Sequence, residues 1–248
     1  MHATSPMNPT TSRRVPVRVE VFQLRPAVDT TNLKRYAIAA CCLRSLSSIA
    51  DTSNCVQAKK QYGLDAGVLH FAYWIAKRQT KKGPIISQDN IKGSYINRHV
   101  RHFMHQLEPF FQLVSNLFRT LAPETYQRYR EGMDRLANKH ADLATYLRES
   151  PCPFLGMALV RNLRVTPHVD QGDDPEGYVF MTNVRGHRDS HLVVGTPDLQ
   201  FKLAYEPGDI ILFRSGVMIH GVTDNADDRT ALVLFSHENV LKWESCSD

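Results

Sequence analysis

The chain has 248 residues, 42% of them hydrophobic, and carries a formal charge of +5. That length buries a sizeable core without metals or disulfides as staples, and no apolar run reaches the length of a membrane-spanning helix. Charge is unevenly spread: nine Lys or Arg face two acids between Lys59 and Arg101, whereas fourteen acids face six bases from Asp170 onward. The basic stretch suits a polyanion; the acidic half argues against a surface wholly coated by phosphate.

Five cysteines (Cys41, Cys42, Cys55, Cys152 and Cys246) form no C-x-x-C pair and have no histidine at zinc-finger spacing. An odd count, with no apolar signal core in MHATSPMNPTTSRR, predicts reduced thiols and an intracellular location, cytoplasm or nucleus. Residues 1–14 read as a flexible tail, with a cleaved organelle-targeting tail as the alternative.

In chain order, VPVRVEVFQLRP alternates valine with polar residues and predicts a strand. Thr30 and Thr31 precede a helical run over 32–49. AGVLHFAYWIAKR fits either a helix or a buried strand, and TKKGPIISQDNIKG an exposed, turn-rich link. Two helices follow, over about 99–121 and 123–149; Pro123 and Glu124 open the second, and Ser150-Pro151 closes it.

After Pro153 the pattern changes to short apolar runs between turns: FLGMALVRNLRV, GYVFMTNV, HLVVG, LQFKLAY, GDIILF, GVMIHGV and RTALVLF. Their spacing leaves no room for βαβ crossovers and predicts a sandwich or rolled antiparallel sheet. TALVLF is apolar at successive positions and so is expected to be covered on both faces. The expected architecture is mainly β with helices in a single domain over 15–248. Residues 15–153 would be mostly helical support packed outside a jelly-roll core over 154–240.

His168 and Asp170 lie two apart, so on a strand both side chains leave one face. Alone, an H-x-D carries little weight. His220 ends a second apolar segment, GVMIH, and in a double-stranded roll two strands some fifty residues apart face each other across the interior. Two imidazoles and a carboxylate then cap one side of an octahedral ion and leave other positions open, the arrangement that holds non-haem Fe(II) in oxygenases. Zinc or nickel accepts the same ligands. The plain alternatives are a surface or capped His168, a structural His220 and a turn role for Asp170.

Arg229 begins the next strand, and parity puts it on one face with Ala231, Val233 and Phe235. An arginine at the head of an apolar inward face needs an anionic partner. That partner is either an internal carboxylate, Asp209 or Asp228, or the distal carboxylate of a dicarboxylic cosubstrate, which the guanidinium fork fits. Thr230 could add a hydroxyl, though parity points it away.

Together, His168-Val169-Asp170, His220, Arg229-Thr230 and the strand–turn signal YEPGDIILFRSG resemble the double-stranded β-helix core of the Fe(II)/2-oxoglutarate-dependent dioxygenases, over roughly residues 155–240. An LxxG-type strand, the PGD turn and the FRS…HGVT run are most similar to the fungal branch related to thymine- and methylcytosine-oxidising enzymes. One departure stands out: Asp189-Ser190-His191 and then LVVG occupy the place where many relatives carry Gly-Gly before LVLP. The resemblance implies Fe(II), 2-oxoglutarate and O2 as cofactors, and oxidation of a C–H bond with release of succinate and CO2. It also implies an Asn or Tyr on the strand before the H-x-D to bind the cosubstrate; Asn162 is the positional match, with a plain β-turn asparagine as the alternative, and Tyr178 and Asn183 are further candidates.

For the substrate, a small organic molecule is the favoured reading. QGDDPEG places Asp173, Asp174 and Glu176 just beyond the metal ligands, and an acidic lip there would repel a phosphate backbone. The alternatives are a methylated nucleobase in DNA or RNA, which a duplex would have to flip out, a protein side chain, or an inactive jelly-roll binding module. Arg161 and Arg164 could meet an anionic substrate or solvate an edge.

Overall fold

A computed structural model describes residues 20–24, 67–75, 83–87, 102–163, 165–185, 191–223 and 229–243. The expected tail, the helix over 32–49 and most of the basic stretch lie outside these residues, as do Arg164 and Asp228. Among the described residues no helix is long and apolar enough to cross a membrane.

The ambiguous segment is a strand, β2 (Gly67–Trp74), flanked in the sequence by short β1 (Phe22–Leu24) and β3 (Ile85–Ile86). Leu69 and Phe71 pack toward the helices, while Ala72 and Val68 pack on the opposite side. Both faces are covered, so the polar alternation that marks a strand is missing. The stretch read as helical support therefore also supplies strands. The link expected to be exposed holds β3, and Gly83, Pro84 and Ser87 beside it are buried.

Helices α1 (Glu108–Leu121), α2 (Pro123–Lys139) and α3 (Ala141–Glu149) follow. Pro109 and Pro123 sit in the first turns of α1 and α2, where their missing N–H costs nothing. The single helix expected over 123–149 is broken at His140, whose backbone is extended (φ −125°, ψ 92°). Its imidazole packs 4.8 Å from the Trp243 ring. A side chain at Gly83 would fall 2.8 Å from both rings, so tertiary packing sets this break.

The seven apolar runs become eight strands: β4 (Gly156–Arg161), β5 (Val165–His168), β6 (Val179–Arg185), β7 (His191–Gly195), β8 (Gln200–Ala204), β9 (Ile210–Phe213), β10 (Ile219–Thr223) and β11 (Thr230–Phe235). The first run splits because Asn162 turns the chain with φ 47°, a left-handed conformation that asparagine tolerates. A short helix, α4 (Glu238–Leu241), closes the described chain.

The strands form two antiparallel sheets, one of order β1-β9-β6-β11-β4-β2-β3 and one of order β5-β10-β7-β8. β1 covers one edge of the larger sheet, and β2 with β3 covers the other. Between the sheets lies a core that includes Met181, Leu192, Val194, Ile211, Phe213, Met218 and Ala231. The outer face of the larger sheet presents Leu159, Phe180, Leu212, Leu232 and Leu234 to Phe118, Tyr129 and Met133 of α1 and α2. β11 is thus covered on both faces, as its apolar sequence requires.

Candidate active site

His168 ends β5, and His220 stands opposite it on β10. Their rings are 4.5 Å apart. Asp170 follows β5, held by its N–H donating to the Ser215 carbonyl at 3.1 Å. Its two carboxylate oxygens lie 3.2 Å from the Nε2 atoms of His168 and His220. Each imidazole is oriented through Nδ1, which meets the Thr166 carbonyl at 2.9 Å for His168 and the Met218 carbonyl at 3.1 Å for His220. Both Nε2 atoms are thereby left facing the carboxylate.

One ligand atom from each of the three residues lies within 4.8 Å of the others. Neighbouring ligands of an octahedral ion with bonds of about 2.1 Å stand about 3 Å apart, so the donor set fits a hard or borderline divalent cation. Burial acts to raise the Asp170 pKa, but hydrogen bonds and charge from His168 and His220 outweigh it and hold the carboxyl well below its usual range. The Asp170 hydrogen bond raises the pKa of His168, against the opposing effect of burial.

The triad lines a cavity of about 640 Å³ between the sheets, a volume typical of small-molecule sites. Arg229, Ala231, Val233 and Phe235 all line it, as strand parity requires. Arg229 is 1% exposed. Its Nη2 donates to the Leu163 carbonyl, while Nε and Nη1 are buried without a hydrogen-bond partner. Burial lowers the pKa of this guanidinium. Asp209, one of the two internal carboxylates weighed as the alternative partner, accepts from the Glu206 N–H at 2.9 Å and from Gln23 Nε2 at 3.2 Å.

Tyr205 also lines the cavity, fully buried, with a hydroxyl that has no partner and a pKa raised by that burial. Sequence reasoning missed it. The available signal was a tyrosine ending an apolar run before the PGD turn, since a buried hydroxyl calls for a partner.

The other candidates do not line the cavity. Asn183 donates from Nδ2 to the Tyr205 carbonyl at 2.9 Å, so it positions Tyr205. Tyr178 donates to Glu20 at 2.5 Å and packs against Phe22 and Phe118, away from the triad. Asn162 is buried in the turn after β4, its N–H donating to the Arg229 carbonyl at 3.0 Å. Thr230 is buried on the face of β11 opposite the cavity-lining residues.

Of the three acids of the expected lip, Glu176 is exposed and the other two are not. Asp173 and Asp174 are 7% and 3% exposed. Asp173 accepts from the Ser215 hydroxyl at 2.6 Å and lies 3.2 Å from His237 Nδ1, an ion-pair distance off the line of a hydrogen bond. Asp174 is paired with Arg128 of α2 at 2.5 Å. Both are thus turned inward, away from any passing polyanion. Around Asp173, the cavity wall is aromatic: Trp74, Phe235 and His237.

A family model, Tet_JBP, described as the oxygenase domain of the 2OGFeDO superfamily, matches residues 87–238. The chain belongs to this superfamily of 2-oxoglutarate- and iron-dependent oxygenases. The match spans the triad, Arg229, Tyr205 and His237, and it begins after β2. Superfamily membership implies Fe(II), 2-oxoglutarate and O2. No curated protein matches the chain in sequence. Among solved structures, NgTET1 in complex with 5mC DNA is similar at 13% identity and a TM-score of 0.57, covering 90% of this chain and 74% of that one. A Pseudomonas putida prolyl-4-hydroxylase aligns at 8% identity and a TM-score of 0.43, covering 89% and 94%. The first likeness is one of fold.

Proposed function

We propose that the chain is an Fe(II)- and 2-oxoglutarate-dependent dioxygenase that oxidises a C–H bond of a nucleobase. Its strands β4–β11 pass between the two sheets in the manner of a double-stranded β-helix, or jelly roll, with the helices as an outer layer. One observation carries the reading. A cavity that contains two Nε2 atoms and a carboxylate around one point also contains three buried donors, Arg229 Nε, Arg229 Nη1 and Tyr205 Oη, with no acceptor.

His168, Asp170 and His220 hold the metal, and three protein ligands leave positions open. Arg229 and Tyr205 supply what a carboxylate requires, a buried cation and a hydroxyl, and so take the distal end of 2-oxoglutarate. When bound, this metal and cosubstrate couple oxidation of a substrate C–H bond by O2 to conversion of 2-oxoglutarate into succinate and CO2. The protein's share is to orient the groups and exclude water: Ala158, Val160, Ala231 and Val233 make the walls apolar, and no acid–base pair is needed.

A nucleobase is preferred to other small molecules for two reasons. The acidic lip that spoke against a phosphate backbone is reduced to the exposed Glu176, because Asp173 and Asp174 are internally paired. The cavity lining includes the rings of Trp74 and Phe235 together with the Asp173–His237 pair, which suits a planar heterocycle bearing donors and acceptors. The resemblance in fold to NgTET1, described in complex with 5mC DNA, agrees with this choice.

Succinate release tests the reading. Single- and double-stranded oligonucleotides carrying methylated bases should stimulate it above the substrate-free rate, with an oxidised base as co-product. Stimulation by free metabolites or peptides alone, with every oligonucleotide inert, would overturn the nucleobase assignment and leave the oxygenase assignment standing.

A further inference from the structure

β2 lies outside the residues matched by the family model, yet it forms part of the cavity wall. Val68, His70 and Trp74 leave its inner face, and register pairs His70 with Ala158 of β4. Trp74 stacks on the imidazole of His237, with centroids 6.2 Å apart and planes at 26°. The His70 ring lies 5.4 Å from that of Trp74, with planes at 57°. His237 in turn lies 5.1 Å from Phe235. The Phe235 ring rests over β4 at Gly156, where a Cβ would come within 2.6 Å of it.

These contacts make an arc of four rings, and its burial differs from that of a core. Phe235 is buried, whereas His70, Trp74 and His237 are only partly covered. Trp74 thus keeps part of its ring uncovered, unlike Phe118, Phe213 and Phe180, which are enclosed. Here part of a large π surface is left facing the cavity, beside the aliphatic walls of Ala158, Val160, Ala231 and Val233, which discriminate mainly by size.

We propose that Trp74 is a specificity-determining residue, against which a planar nitrogen heterocycle stacks as it enters the cavity, with His70 completing that wall. This rests on the nucleobase reading and refines it: selection comes from a strand that precedes the matched oxygenase segment. Stacking of a base on an aromatic side chain corresponds to about a ten- to hundredfold change in affinity. Trp74 also braces His237, so the experiment must separate contact with substrate from a bracing role.

The probe is a single-stranded oligodeoxynucleotide containing 5-methylcytosine, used with the full chain. Trp74→Leu keeps bulk but loses the π face; Trp74→Phe keeps a ring. Trp74→Leu is expected to raise KM for the oligonucleotide about ten- to hundredfold with little change in kcat, and Trp74→Phe to recover most of the loss. Binding is read separately, without turnover, in metal-stripped protein. The chain has two tryptophans, Trp74 and Trp243, and Trp243 lies against His140 away from the cavity. The oligonucleotide should quench wild-type fluorescence but not that of Trp74→Phe.

A fall in kcat at unchanged KM, or quenching that persists in Trp74→Phe, overturns the assignment of Trp74 while base oxidation by the wild type still stands. No oxidised base and no quenching with the wild type removes the nucleobase reading, and this inference with it.

Discussion

Asp170 stands 3.2 Å from the Nε2 of both His168 and His220, which face each other across the β5–β10 pair. Three candidate ligands are thus placed by the β5–β10 pairing, whose register shifts between His220 and Val222, and by one short loop. Alanine at any of the three is expected to abolish tight Fe(II) binding and succinate formation. Metal content after loading and dialysis checks this; a variant retaining stoichiometric iron removes that residue from the site.

Acidity of the metal-free triad sets a pH dependence. The Asp170 pKa is held low, so its contribution to stability is present above about pH 4 and lost only as pH falls through the lower folded value. The His168 pKa is raised, so its contribution is present below about pH 6.5 and lost as pH rises through the higher folded value. Metal needs the imidazoles neutral and so competes with these protons. The rise in Tm on loading metal should therefore be larger at about pH 8 than at about pH 6. Equal shifts at both values would contradict this coupling.

Arg229 is a buried cation with two unpartnered donors, which destabilises the protein in the absence of an anion. Arg229→Met should leave the Tm of cosubstrate-free protein unchanged or raised, while removing the stabilisation conferred by added 2-oxoglutarate. The KM for 2-oxoglutarate should rise about a hundredfold, the loss of a charge-assisted pair. A large fall in Tm without cosubstrate would make Arg229 structural.

Tyr205→Phe removes only a hydroxyl that has no partner. Stability should hold, and the KM for 2-oxoglutarate should rise about tenfold, one net hydrogen bond. Unchanged 2-oxoglutarate kinetics would take Tyr205 out of the cosubstrate site.

Arg128 of α2 reaches across to Asp174, four residues beyond the proposed metal ligand Asp170. Arg128→Ala strands a buried carboxylate and should cost about 2–3 kcal/mol, since the arginine side chain is itself a third exposed. That corresponds to about 5–10 °C in Tm. Asp174→Asn, which removes the charge from the same position, should partly restore the double variant. Additive losses in the pair would contradict direct coupling.

Much of this was legible in the sequence, for local reasons. The inward face of β11 follows from strand parity, which needs no knowledge of the rest of the chain; the H-x-D spacing and the motif resemblance point to the triad, although Asp170 lies beyond the end of β5. Where a partner comes from far along the sequence, the reading failed. Asp173 and Asp174 resemble a solvated turn until Ser215 and Arg128 are brought against them. The break at His140 depends on Trp243 and on the bare backbone of Gly83. β2 carries no clean periodicity because helices cover one face and the cavity core the other. Tyr178 and Asn183 lay near the motif in sequence, but hydrogen bonds to Glu20 and to the Tyr205 carbonyl assign them other work.

The account is tested most directly by anaerobic titration of the metal-stripped protein with Fe(II) and 2-oxoglutarate, followed in the visible region. It predicts a charge-transfer absorption that saturates at one equivalent of each, is absent in His220→Ala, and needs a higher 2-oxoglutarate concentration in Arg229→Met. No absorption with the wild type at saturating concentrations of both would contradict it.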